Sequence, residues 1–84
     1  MEREAVFQTM VGILGQFIKD KAKLDGVEDS TRIVEDLDVN SARLIDIVLV
    51  VENEFDIELE DEVLNALKTV GDAVDAILKE KGAA

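Results

Sequence analysis

The sequence predicts an all-α fold: a small four-helix bundle of three longer helices and one short third helix, with a long first loop. Three observations carry this expectation. Apolar residues recur every three or four positions in segments 4–23, 41–55 and 70–78, the period of one helix face. Asn40 ahead of Ser41, and Thr69 three residues ahead of Asp72, are signals for helix starts. The one stretch that alternates like a strand, Asp56-Ile57-Glu58-Leu59, has no second strand to pair with. At 84 residues the chain is expected to form a single domain, 1–84, with no room for a second core.

The first helix is expected from Glu4 to about Lys23. Val6, Met10, Ile13, Phe17 and Leu24 form its stripe, and Phe7, Val11, Leu14 and Ile18 widen it. Gly12 and Gly15 each cost roughly 1 kcal/mol of helix propensity against Ala, so either a neighbouring helix approaches closely there or they are simply tolerated. Asp25-Gly26 ends the helix. The segment Gly26 to Val39 is long for a connection, and Val27, Ile33, Val34 and Leu37 are expected to pin it, with a short turn near Ser30-Thr31.

The central helix begins at or beside Ser41 and buries Leu44, Ile47, Val48, Val51 and Phe55 on one stripe. Residues 56–59 read as an extended connector that buries Ile57 and Leu59. A short helix from about Asp61 to Ala66 carries acids in its first turn, where the helix dipole favours them. Thr69 caps the last helix, whose stripe is Val70, Ala73 or Val74 and Ile77, with Leu78 alongside. Lys79 and Lys81 lie near its negative end, and Gly82-Ala83-Ala84 is expected to fray.

Composition excludes several functions. With no cysteine and no histidine, neither a disulfide framework nor a thiolate metal site nor a Ser-His-Asp triad is possible. The acidic runs Glu35-Asp36-Asp38 and Glu58-Glu60-Asp61-Glu62 lack the spacing and central glycine of a calcium loop, and no Gly-rich phosphate loop occurs. The early residues carry no secretory pattern, and the longest apolar run, Ile47 to Val51, is too short to cross a bilayer. The expectation is a cytoplasmic monomer.

The net charge of −11 is concentrated. Between Glu28 and Glu62 lie thirteen acids and two bases, whereas the flanks are neutral, with seven of each. Such a field repels nucleic acid and anionic membrane and steers basic protein surfaces toward it; kept only as a solvated face, it serves solubility. Its centre is Ser41. A hydroxyl at a helix N-terminus sits where unpaired N–H groups and the dipole favour an attached phosphate, or else Ser41 shares capping duty with Asn40.

Val34-Glu35-Asp36-Leu37, then Asn40-Ser41, a helix ending Glu52-Asn53-Glu54-Phe55, then Ile57-Glu58-Leu59 before an acidic short helix, and Thr69-Val70 opening the last helix resemble the acyl carrier protein family. The resemblance runs from about residue 27 to the end. It implies that a phosphopantetheinyl transferase attaches the 4'-phosphopantetheine arm of coenzyme A at Ser41. The arm's thiol then carries acyl cargo as a thioester for a fatty-acid, polyketide or related pathway, and the chain is a shuttle and not an enzyme.

By the same resemblance Asp46 and Glu52 face basic docking patches on acyl-loading and acyl-transferring enzymes. Ile45 and Leu49 match exposed apolar contacts, the alternative being ordinary core packing, and Ile57, Leu59 and Val63 are candidates to line a cargo cavity. Asn40 and Ala42 depart from the family's aspartate and leucine on either side of the serine, and Arg43 stands where acids are common. These departures at partner-facing positions suggest a specialised carrier. The competing readings are an unmodified bundle that acts only by binding a protein, and an aminoacyl carrier.

Overall fold

The computed structural model describes residues 2–82. Its helices are α1 (Arg3–Gly15), α2 (Ser41–Phe55), α3 (Asp61–Ala66) and α4 (Val70–Gly82), with a 3₁₀ turn at Lys21–Leu24. Helix α1 packs chiefly against α4 and next against α2. The shared core includes Val6, Met10 and Leu14 of α1, Ile47, Val48 and Val51 of α2, and Val70, Val74 and Ile77 of α4, all buried. Each of the larger side chains contributes about 1.5–3 kcal/mol by leaving water.

Helix α1 ends eight residues before the expected Lys23. At Gly15 the ladder tightens: the Gln16 and Phe17 N–H groups bond back to the carbonyls of Ile13 and Leu14 at 3.0 Å, three residues behind. Lys21 Nζ donates to the Gly15 and Ile18 carbonyls, capping the turn, and Asp20 accepts from Ala22 N–H to start the 3₁₀ turn. Ile18 is buried although it lies beyond the helix, so the apolar periodicity continued while the backbone had changed course. Gly12 faces open space and has no close neighbour; Gly15 has Leu24 of the 3₁₀ turn at 3.4 Å, ordinary contact distance.

The loop to α2 is held by backbone. Arg32 and Thr69 form an isolated antiparallel bridge, with Ile33 N–H on the Lys68 carbonyl and Val70 N–H on the Thr31 carbonyl, both at 2.9 Å. Gly71 N–H donates to the Asp29 carbonyl at 2.8 Å, so the loop lies across the α3–α4 junction. Ile33, Leu37 and Val39 fill the core from this loop, and Val27 packs half-buried against it. Val34, expected as an anchor, is instead exposed at 39%, because residues 33–36 form a turn that buries Ile33 and leaves Val34, Glu35 and Asp36 outside. The turn expected near Ser30-Thr31 is present, with Thr31 N–H on the Glu28 carbonyl at 3.1 Å.

Helix α3 has the expected bounds, and Leu67 after it is buried. The start of α4 is a reciprocal cap: Asp72 N–H donates to Thr69 Oγ1 and Thr69 N–H to Asp72 Oδ2, both at 3.0 Å. Gly82 closes α4, and the rest of the expected fraying, Ala83-Ala84, lies outside the described residues.

Candidate functional site

Ser41 is the first residue of α2 and is exposed. The approach to it is set by a compact turn: the Asp36 and Leu37 N–H groups bond to the Arg32 carbonyl at 2.8 and 3.2 Å. Asp36 accepts in return from Arg32 N–H and from its guanidinium. The backbone bond first and the guanidinium second hold the Asp36 carboxyl below the usual carboxylate range. Asp38 then takes a left-handed conformation, φ 56°, which reverses the chain so that Val39 is buried and Asn40 stands at the helix mouth. Aspartate is one of the few non-glycine residues that visit this region readily.

Asn40 alone supplies the side-chain cap, its Oδ1 accepting from Arg43 N–H at 2.8 Å. No hydrogen bond among the described residues uses the Ser41 hydroxyl, so the shared-cap reading is not what the structure contains. The N–H groups of Ser41 and Ala42 precede the first intrahelical bond, from Leu44 N–H to the Asn40 carbonyl. An exposed hydroxyl beside two such donors at the positive end of a fifteen-residue helix suits a phosphate ester.

Along α2, Ile45 and Leu49 are exposed at 49% and 58%, while Ile47, Val48, Val51 and Phe55 are buried and Leu44 half-buried. Ile45 and Leu49 therefore belong to the outer face, with Ala42 and Asp46, which are also exposed. Arg43 pairs with Asp46 at 3.3 Å, an exposed contact of small energy that sets a cation into the acidic face. Glu52 differs from Asp46. Half-buried, its carboxylate accepts from Leu59 N–H at 2.7 Å. Of the three residues expected to line a cargo cavity, Val63 lines a cleft between α3 and α4 with Ala66, Leu67 and Ala76, whereas Ile57 and Leu59 pack half-buried against the core.

A second side of the site went unread in the sequence. Because α1 stops at Gly15, residues 16–23 turn and form a groove against Leu37–Asn40 and Arg43. Lys19, Lys21, Lys23 and Arg43 line it, four of the nine basic residues of the chain, with only Asp20 and Asp38 of its twenty acids. The sequence signal is Lys-x-Lys-x-Lys, masked because lysines equally suit the C-terminal end of a helix.

Comparison with known proteins agrees with this geometry. The family described as phosphopantetheine attachment site matches residues 12–77, a span that includes Ser41. The acyl carrier protein of Lactobacillus acidophilus is 34% identical over 98% of this chain and 100% of its own length. That of Coprothermobacter proteolyticus is 40% identical over 92% of both chains. Among solved structures, an acyl carrier protein from Enterococcus faecalis superposes with a TM-score of 0.78 at 35% identity, covering 95% of this chain and 99% of that one. One from Thermotoga maritima gives 0.82 at 27% identity, covering 99% and 94%.

Fold and site together define a small acidic carrier that offers a serine at a helix mouth. The chain belongs to the acyl carrier protein family. It is accordingly a carrier and not an enzyme, and its cofactor is a covalently attached 4'-phosphopantetheine. Members of the family work with phosphopantetheinyl transferases and acyl-handling enzymes. No helix among the described residues is long and apolar enough to cross a membrane.

Proposed function

We propose that Ser41 is the residue that carries the 4'-phosphopantetheine arm, and that the protein shuttles acyl intermediates on it between the enzymes of a dedicated fatty-acid, polyketide or related pathway, as a cytoplasmic monomer. One observation carries this reading: Ser41 opens α2 with its hydroxyl exposed and unused, because Asn40 has taken over the cap. When bound, the arm supplies a thiol that this cysteine-free chain lacks. The chain's residues provide the rest. Ser41 is the attachment oxygen, and the Ser41 and Ala42 N–H groups stabilise negative charge beside it. With no histidine in the sequence, the serine proton leaves to a base that the transferase supplies.

The outer face of α2 is the proposed partner surface. Ala42, Ile45 and Leu49 offer apolar contact and Asp46 charge, with Asn40 at the point nearest the serine. Glu52 adds to the field of that face while its carboxylate is held by Leu59. Asn40 and the Arg43–Asp46 pair make the helix mouth less acidic and Ala42 makes it less bulky and less apolar, which supports a carrier dedicated to particular partners.

Intact mass tests the reading. Incubation with coenzyme A and a phosphopantetheinyl transferase is expected to add one arm, and Ser41→Ala to abolish the gain. No gain with several transferases of different breadth overturns the assignment of Ser41.

A further inference from the structure

The groove between residues 16–23 and Leu37–Arg43 is built unlike the rest of the surface. Its basic rim stands in a chain of net charge −11. Lys21 is committed to the Gly15 and Ile18 carbonyls and Arg43 is paired with Asp46, whereas Lys19 and Lys23 form no ion pair among the described residues. Apolar side chains lie below the rim: Phe17 half-buried, Leu37 and Val39 buried. The volume, about 730 Å³, is that of a small-molecule cleft. The groove reaches Asn40 and Arg43, which bracket Ser41 and Ala42 in the first turn of α2.

We propose that this groove receives the proximal part of the protein's own phosphopantetheine arm, with the phosphodiester held by Lys19 and Lys23 and the dimethyl-bearing segment resting on Phe17 and Val39. The inference rests on Ser41 being the attachment residue. Charge complementarity selects this occupant: the arm begins with an anionic phosphodiester followed at once by a branched apolar carbon, and the groove offers ammonium groups above apolar side chains. Tethering makes the contact intramolecular, so weak individual interactions suffice to populate it. The rim also counters the repulsion between the phosphate and Asp38 and Asp36 on the approach to Ser41. Cargo at the thiol end remains free for partner enzymes while the base of the arm lies along the bundle.

The test compares backbone amide spectra of the apo and holo forms of the whole protein, wild type and Lys19→Gln/Lys23→Gln, with intact mass to establish that each holo sample carries one arm. The expected result is a set of holo-dependent shifts at Phe17–Lys23 as well as around Ser41. The shifts at Phe17–Lys23 should collapse toward the apo positions in the double variant and shrink as the Debye length falls from about 10 Å at 0.1 M salt to about 3 Å at 1 M. Both lysines are exposed, and circular dichroism checks that the variant keeps its helices. Holo protein whose shifts are confined to residues near Ser41, or lie instead at Ile57–Val63, overturns the proposal while leaving Ser41 its role. So do shifts at Phe17–Lys23 that arise only on adding the transferase, which would give the groove to that partner. No mass gain at all overturns the Ser41 assignment and this inference together.

Discussion

The backbone N–H of Leu59 donates to the Glu52 carboxylate at 2.7 Å, tying the last turn of α2 to the connector that leads into α3. The Glu52 carbonyl accepts from the Asp56 and Ile57 N–H groups, and Asp56 takes a left-handed conformation, φ 54°, to make the turn. Glu52 thus closes α2 with both its backbone and its side chain.

The two acids expected to dock partners should therefore separate on mutation. Glu52→Ala removes a half-buried, charge-assisted bond and should cost about 1–2 kcal/mol, or roughly 4–15 °C in Tm for a domain of this size. Asp46→Lys, on the exposed face, should leave Tm within a few degrees but slow arm attachment, more at low salt than at high. Thermal melts beside transferase rates decide it; equal melting losses for the two variants would contradict the assigned division.

Gly71 is required by proximity. A Cβ there would lie 2.9 Å from the Asp29 carbonyl oxygen, the same atom that accepts from Gly71 N–H. Gly71→Ala should force the loop off α4 and cost about 1–3 kcal/mol, despite alanine's better helix propensity. Gly12→Ala, facing open space in α1, should instead stabilise by about 0.5–1 kcal/mol. Urea midpoints for the two variants should move in opposite directions.

Acid should weaken the caps. The Asp72 carboxyl is held below the usual range first by Thr69 N–H, against partial desolvation, with Lys68 N–H assisting; Asp36 is lowered by Arg32. A depressed native pKa contributes stability above the unfolded value of about 3.9 and loses it as pH falls through the native value. Relief of acidic self-repulsion acts the other way. Asp72→Asn should therefore lose less stability than wild type between about pH 5 and pH 2, read from urea midpoints at each pH. Parallel curves would remove Asp72 from the explanation.

Partner choice at the helix mouth can be tested by Asn40→Asp with Ala42→Leu. Asn and Asp cap about equally well, so α2 should keep its start. A leucine at exposed position 42 offers about 1–2 kcal/mol when covered by a partner, enough for roughly tenfold in rate. The double variant should become a better substrate for generic fatty-acid machinery, measured as rates with a generic holo-carrier synthase and malonyl transferase. No gain would mean that the departures do not encode partner choice.

The sequence by itself determined the helices whose signals are local. Asn40 marks the start of α2 and Thr69 with Asp72 that of α4, because a cap is made within four residues; the stripe of α2 is legible because burial on a helix repeats every three or four positions. Ser41, with the acids around it, was legible for the same reason. What tertiary structure decided involves partners distant in sequence. Apolar spacing through Phe17 and Ile18 could not reveal that α1 stops at Gly15, since those side chains still meet the core after the backbone turns. The Arg32–Thr69 bridge, the Gly71–Asp29 approach and the bond from Leu59 to Glu52 join segments whose meeting no local pattern announces. Only the turn after α1 sets Lys19 and Lys23 across a groove from the Ser41 end of α2, because the charge near a site depends on where the chain folds back and not on where the lysines fall along it.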